Sequence, residues 1–203
     1  MQIQHRGATP HVDATAWVAP TAVVSGAVTV GPRARILHGA VVTAERDTTL
    51  TIGPDCVIME QAVLRASGRF NLSLGASCLV GPHAYLTGCS VGSQTFIATG
   101  AMVFNGASLG EACVVTLGGK VHIDTELPAG ARVPMGHIAY GRPAVVYRPE
   151  QALEVHNQMD LLGFMDYVFG VESHDRPRGD VMDEAMAKYA HFLGSHRDDF
   201  IVG

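Results

Sequence analysis

The chain has 203 residues and a net charge of −5, from 14 basic and 19 acidic side chains. That length suits one main domain with an appendage, and the acidic balance excludes the basic footprint of a nucleic-acid binder. With 47% hydrophobic and 16% charged residues the chain can bury a large core, which excludes a disordered polypeptide.

No apolar run has the length of a membrane span, and the N-terminal stretch MQIQHRGATP lacks the apolar centre of a signal peptide. The expectation is a cytoplasmic protein with no membrane partner. The four cysteines (Cys56, Cys78, Cys89, Cys113) form no CxxC pair and read as buried thiols in a reducing compartment.

From the N-terminus onward, apolar residues recur at steps of six: Val12, Val18, Val24, Val30, Ile36 and Val42. The series restarts as Ile52, Ile58, Leu64, then as Leu74, Val80, Leu86, and again from Val91 through Val121. A helix needs a period near 3.6 and an ordinary strand a period of 2. A period of six implies one short strand and one corner per repeat, with three repeats to a triangular coil and stacked coils sharing one core. The residue after each repeat position is often small, as at Gly31, Gly53, Gly75, Gly81 and Gly92, and is expected to form the corner. The residue two before it is often small or β-branched, as at Ala22, Val28, Cys78 and Ala84.

Two stretches interrupt the repeat, AERDTT (44–49) and ASGRFNLS (66–73). Both are expected to emerge as loops, either lining a binding face or inert. After Val121 the pattern loosens, with Pro128, Pro134 and Pro143 marking corners and the end of strand pairing. Pro149 suits the first turn of a helix, and Leu153, Leu161, Leu162, Met165 and Val168 predict a helix over 149–169. Residues 171–180 read as a polar linker and 181–194 as a second helix. The division is therefore 1–148 for the solenoid and 149–203 for a helical extension packed against it, which either caps the solenoid or docks a partner.

The repeat is that of the hexapeptide proteins, whose resemblance implies an all-β solenoid, a left-handed parallel β-helix, here with C-terminal α-helices. Within that group the segments GAVVTAERD (39–47), IMEQAVLR (58–65), VGPHAYLTGC (80–89), VGSQTFIATGAMVFNGASLG (91–110) and YGRPAVVYR (140–148) resemble the gamma-class carbonic anhydrases. That resemblance implies a homotrimer with a metal held by three histidines at each subunit interface. The three positions are Arg65, Pro82 and Thr87 here. Proline has no donor atom, threonine is a poor ligand and arginine is a permanent cation, so no zinc or other metal cofactor is expected. His83 stands one residue away from a ligand position, on the wrong face of a strand.

The altered site leaves Glu45, Glu60, Arg65, His83 and Thr87 as candidate functional residues. Either Glu45 or Glu60 neutralises Arg65 as a structural ion pair, or the guanidinium holds a small anionic ligand bidentately at the trimer interface. The leading expectation is such a gamma-carbonic-anhydrase-like protein, binding or converting a small anion. Two alternatives stand beside it. One is a coenzyme-A-dependent acyltransferase of the hexapeptide type, with His38, His122 or His137 as candidate base. The other is a non-catalytic assembly subunit.

Overall fold

The computed structural model describes residues 1–202. The chain winds as a left-handed parallel β-helix with three faces. One face is a ten-stranded sheet, and the other two are seven-stranded sheets. Each strand pairs in parallel with its counterpart one coil away, as in Val41–Ala44 beside Val63–Ala66 and Val63–Ala66 beside Tyr85–Thr87. The six-residue series fills the interior: Val24, Ile36, Ile52, Ile58, Leu64, Val80, Leu86, Ile97, Val103 and Val115 are all buried. All four cysteines occupy the slot two residues before a repeat position and are buried, unpaired thiols.

The small residue after each repeat position plays a different part from the corner role its sequence suggests. The left-handed backbone falls three residues after the repeat position, at Arg33, Asp55, Ser77, His83 and Gln94 among others. The intervening glycine is required by coil stacking instead. A Cβ on Gly53 would sit 2.5 Å from the carbonyl oxygen of Gly75 in the next coil, and one on Gly75 would sit 2.5 Å from the amide nitrogen of Ser93.

The ten-stranded face is closed at both ends by antiparallel strands. Val145–Tyr147 folds back on Ile138–Tyr140, and Phe200–Ile201 pairs with Gln2–Gln4. Capping of this kind removes exposed sheet edges, and here the chain's own C-terminal segment caps the first coil. The expected single helix at 149–169 is split. A 3-10 turn, Pro149–Gln151, leads into α1 (Ala152–Leu162), and Gly163 in the left-handed conformation separates it from α2 (Phe164–Phe169). Left-handed glycine is the common helix terminator. The second helix, α3 (Arg178–Leu193), begins earlier than its apolar stripe suggests. The linker before it is not wholly solvated, since Val171 is buried against Val181, Ala185, Met165 and Phe169. No helix among the described residues is long and apolar enough to cross a membrane.

The extension lies along the ten-stranded face. Val155 of α1 joins Ile123, Tyr140 and Tyr147 in one apolar cluster, with Phe104, Met159 and Val168 packed around it. Both interruptions of the repeat are seats for the extension. Glu45, in the first, is only 6% exposed and meets His196. In the second, Arg69 donates to the Tyr167 carbonyl and Phe70 packs on the Tyr167 ring at 5.3 Å.

Candidate functional site

Outward-facing residues of the ten-stranded face stack in rows, because pairing in register repeats each position from coil to coil. One row runs Ser25, Thr43, Arg65, Thr87. The backbone bonds from Phe104 to Val121 and from His122 to Ala139 continue it through Phe104 and His122. On an open solenoid this row would face solvent. Here α2 and α3 bridge it and enclose a cavity of about 600 Å³, within the range of small-molecule sites. Arg65, Tyr85, Thr87, Asn105 and His122 supply its polar wall, and Lys188 and Tyr189 of α3 face them. Phe104, Ile123, Phe164, Phe169 and Phe192 supply most of the apolar lining.

Two groups on the sheet side of this cavity are distinctive. Arg65 donates through one Nη to Glu45 Oε1 at 3.0 Å and lies over the Tyr189 ring, 5.8 Å from its centroid. Burial opposes its charge, but Tyr189 and Glu45 outweigh that and hold the guanidinium above its ordinary pKa. The ion pair foreseen between Arg65 and an acidic neighbour is thus made by Glu45, and within one chain. It consumes one of five N–H donors, so Arg65 still offers hydrogen bonds to the cavity that it lines.

His122 is the second. Burial pushes its pKa down, so the ring is held neutral. The Ile123 amide donates to His122 Nδ1 at 2.8 Å. An acceptor nitrogen in a neutral imidazole leaves the hydrogen on the other nitrogen, so Nε2 is an N–H donor. Phe104 and Tyr140 flank the ring at 5.3 and 5.9 Å and fix its orientation.

The remaining candidates are dispersed. Glu60 and His83 sit at a corner of the coil, where the His83 amide donates to the Glu60 carbonyl and the His83 side chain is exposed; neither lines the cavity. Pro82 is at the same corner. Arg65 and Thr87 are register partners, but a guanidinium, a hydroxyl and a proline ring do not fit a zinc ion. His38 packs against Thr21 and Trp17, and His137 bonds the Met135 carbonyl. Only His122 of the three candidate bases reaches the cavity. Sequence reasoning missed Tyr85, Asn105, Lys188 and Tyr189. Tyr85 and Asn105 could have been found from the outward rows of the repeat, whereas Lys188 and Tyr189 arrive through a fold-back that no local pattern encodes.

No protein-family profile matches the chain, and no curated protein matches it in sequence. Solved structures do. A hexapeptide transferase family protein from Anaplasma phagocytophilum is 20% identical with a TM-score of 0.50, the match covering 96% of each chain. A proposed acetyltransferase from Bacillus cereus is 21% identical with a TM-score of 0.52, over 94% of this chain and 96% of that one. Both show the fold. A variant of the perosamine N-acetyltransferase from Caulobacter crescentus, solved with CoA and GDP-perosamine, is 31% identical with a TM-score of 0.50. That match covers 66% of this chain, which spans 57% of the Caulobacter enzyme. The structural neighbours are hexapeptide-repeat transferases. Two of these three carry acetyl-transfer names, where the sequence motifs suggested carbonic anhydrase.

Proposed function

We propose that the protein is an acyltransferase of the hexapeptide-repeat type, with coenzyme A as acyl carrier and a small amine as acceptor. The observation that carries this reading is His122, a neutral imidazole locked as an Nε2–H donor in the wall of the cavity. The likeness to an N-acetyltransferase of an amino sugar nucleotide supports the reaction class. In the reaction the acceptor nitrogen attacks the thioester carbonyl, the C–N bond forms, the C–S bond breaks, and the leaving thiolate takes the proton shed by the amine. His122 acts as a donor to the carbonyl oxygen as that oxygen gains charge, a contribution of about 10²–10³ in kcat for such groups. The general-base role expected of a loop histidine does not suit it, because its free nitrogen already bears the hydrogen. Arg65 and Lys188 favour an acceptor that carries a carboxylate or phosphate.

The test is to follow thiol release from acetyl-CoA with a panel of amino sugars and amino acids, alongside the melting temperature. The expected result is a rise in melting temperature with acetyl-CoA and turnover that falls about 10²-fold in His122→Ala. Absence of both stabilisation by acetyl-CoA and thiol release with every acceptor would overturn the reading.

The second reading, a carbonic-anhydrase-like protein that binds a small anion without chemistry, is favoured by the unused Arg65 donors alone. It predicts stabilisation by small carboxylates with no acetyl-CoA response. We also propose the homotrimer, formed through the seven-stranded face that contains Trp17–Val18 and Phe96–Ile97. There Trp17, Arg35, Val57, Leu79 and Phe96 share one outward row, apolar but for Arg35, with Trp17 and Phe96 exposed. Light scattering should give three chains for the wild type and one for Phe96→Glu.

A further inference from the structure

A second cluster lies beyond the cavity, where the two ends of the chain meet. His5 follows the first strand, Glu45 follows Val41–Ala44, and His196 and Asp199 belong to the segment between α3 and the last strand. Asp199 is bracketed by both imidazoles: Oδ1 lies 2.6 Å from His5 Nδ1 and Oδ2 lies 2.7 Å from His196 Nδ1. A carboxylate only accepts, so both Nδ1 atoms carry hydrogen and each ring presents Nε2 on its far side. There His196 Nε2 is 3.0 Å from Glu45 Oε2, and His5 Nε2 is 3.9 Å from the same oxygen. The rings stack with centroids 4.3 Å apart, and the three donor atoms lie within 4.8 Å of one another.

His5 Nε2 is buried and has no hydrogen-bond partner. At 3.9 Å, Glu45 is too distant to be one. Neutral, the atom is an unsatisfied lone pair; protonated, it is a buried N–H with nothing to receive it. Either state is costly in a residue only 2% exposed.

We propose that His5 Nε2, His196 Nε2 and Glu45 Oε2 form a binding site for a divalent first-row transition-metal ion, with Asp199 orienting both imidazoles. Two imidazoles and one carboxylate, with positions left open for water, suit zinc or ferrous iron. One carboxylate tying the far nitrogen of each ring is the usual outer support of a metal-bound histidine. Donors bound to a common ion at about 2.1 Å are separated by roughly 3.0–3.5 Å; His196 Nε2 and Glu45 Oε2 already stand 3.0 Å apart, and His5 Nε2, 3.9 Å from that oxygen, closes by about 0.5 Å. Arg65 takes Glu45 Oε1, and Oε2 accepts from His196 Nε2, whose hydrogen the ion replaces on binding. The charges of Glu45 and Asp199 outnumber that of Arg65, and the partly exposed His196 gives the ion a way in. None of the three ligands belongs to the positions Arg65, Pro82 and Thr87. The ion would fasten residues 5, 45 and 196 together, and α3 ends only three residues before His196. It therefore acts as a clasp on the helix that brings Lys188, Tyr189 and Phe192 to the cavity.

The full chain, stripped with chelator and dialysed, is titrated with zinc by calorimetry and with cobalt(II) by visible absorption. The proposal expects one equivalent per chain, ligand-field bands with cobalt, and a raised melting temperature. His196→Ala abolishes these, and Asp199→Asn weakens binding roughly 10–100-fold. His156→Ala, at the exposed His156–Asp160 pair, leaves them unchanged. Stoichiometry well under one, or full binding in His196→Ala, overturns the proposal. Anomalous diffraction from zinc-soaked wild-type crystals needs no variant: a peak bonded to both Nε2 atoms supports the site, and its absence there overturns it.

Discussion

Gly53→Ala tests how the coils are held together. The φ of Gly53 is not in the left-handed region, so alanine is acceptable to the backbone itself. The obstacle is space. The new methyl would lie 2.5 Å from the Gly75 oxygen, 2.6 Å from the Gly75 carbonyl carbon and 2.9 Å from the Ala76 nitrogen. All three are backbone atoms of the next coil and cannot swing aside. Ordinary contact begins at 3.4 Å, so the two coils must part by about 0.9 Å along a direction in which each strand is hydrogen-bonded to the next. Overpacking a rigid core costs typically about 1–3 kcal/mol, occasionally more, and stretched ladder bonds place this case at the upper end, about 3 kcal/mol. For a chain of this size that corresponds to a fall in melting temperature of roughly 6–12 °C. Gly100→Ala is the companion. Its φ is +65° and a Cβ there meets nothing within 4 Å, so only the left-handed penalty of about 1–2 kcal/mol applies. Thermal and urea denaturation of both variants give the comparison. A Gly53→Ala protein as stable as the wild type, or more stable than Gly100→Ala, would refute the view that coil contact fixes the glycine.

His122 gives a pH prediction. Its folded pKa lies below the unfolded value near 6.5. The unfolded chain therefore binds the proton first as pH falls, and stability is lost below about pH 6.5 until the folded value is reached. The difference in melting temperature between wild type and His122→Asn should narrow or reverse in that window. A difference that does not vary between pH 8 and 5 would contradict a half-buried neutral ring. At the ion pair, Glu45→Ala leaves the Arg65 guanidinium half-buried without its carboxylate and is expected to cost about 3 kcal/mol. Arg65→Met in that background should recover part of the loss. Strictly additive single-variant effects in a double-mutant cycle would refute the coupling.

How much of this was legible in the sequence depends on how far apart the partners lie along the chain. The interior ladder is a local rule applied again and again, and Val24, Ile52, Leu86 and Val115 obey it without exception. The corner lies two positions beyond the small residue to which the sequence points. The sequence marks Gly53 and Gly75 as special but does not distinguish a bend in the chain from contact with the neighbouring coil. The left-handed corners at Arg33, His83 and Gln94 carry ordinary side chains, whereas those at Gly39, Gly100 and Gly118 carry glycine, so composition marks only some of them. That Arg65, Pro82 and Thr87 offer no metal donor set was readable, and pairing of Arg65 with Glu45 or Glu60 was one of two readings the sequence left open. Which carboxylate, and that the same glutamate also meets His5 and His196, was not readable. Those contacts join residues separated by up to 151 positions, and no periodicity reports on them.

One row of outward residues acquires several environments from the segment that lies over it. Arg65 pairs with Glu45 beside the junction of the chain ends, Thr87, Phe104 and His122 face the cavity, and Tyr140 is packed against α1. The solenoid alone would leave all of them on an open sheet, where a hydrated His122 would titrate near its ordinary value and a solvated Arg65–Glu45 pair would contribute little. The two breaks in the repeat are where this difference is built. The first lifts Glu45 towards His196, and the second sets Arg69 and Phe70 against Tyr167. The chemistry proposed for the cavity therefore depends on the extension as much as on the hexapeptide coil. A chain sharing the coil residues but lacking a segment equivalent to 171–202 would keep the row and lose the site.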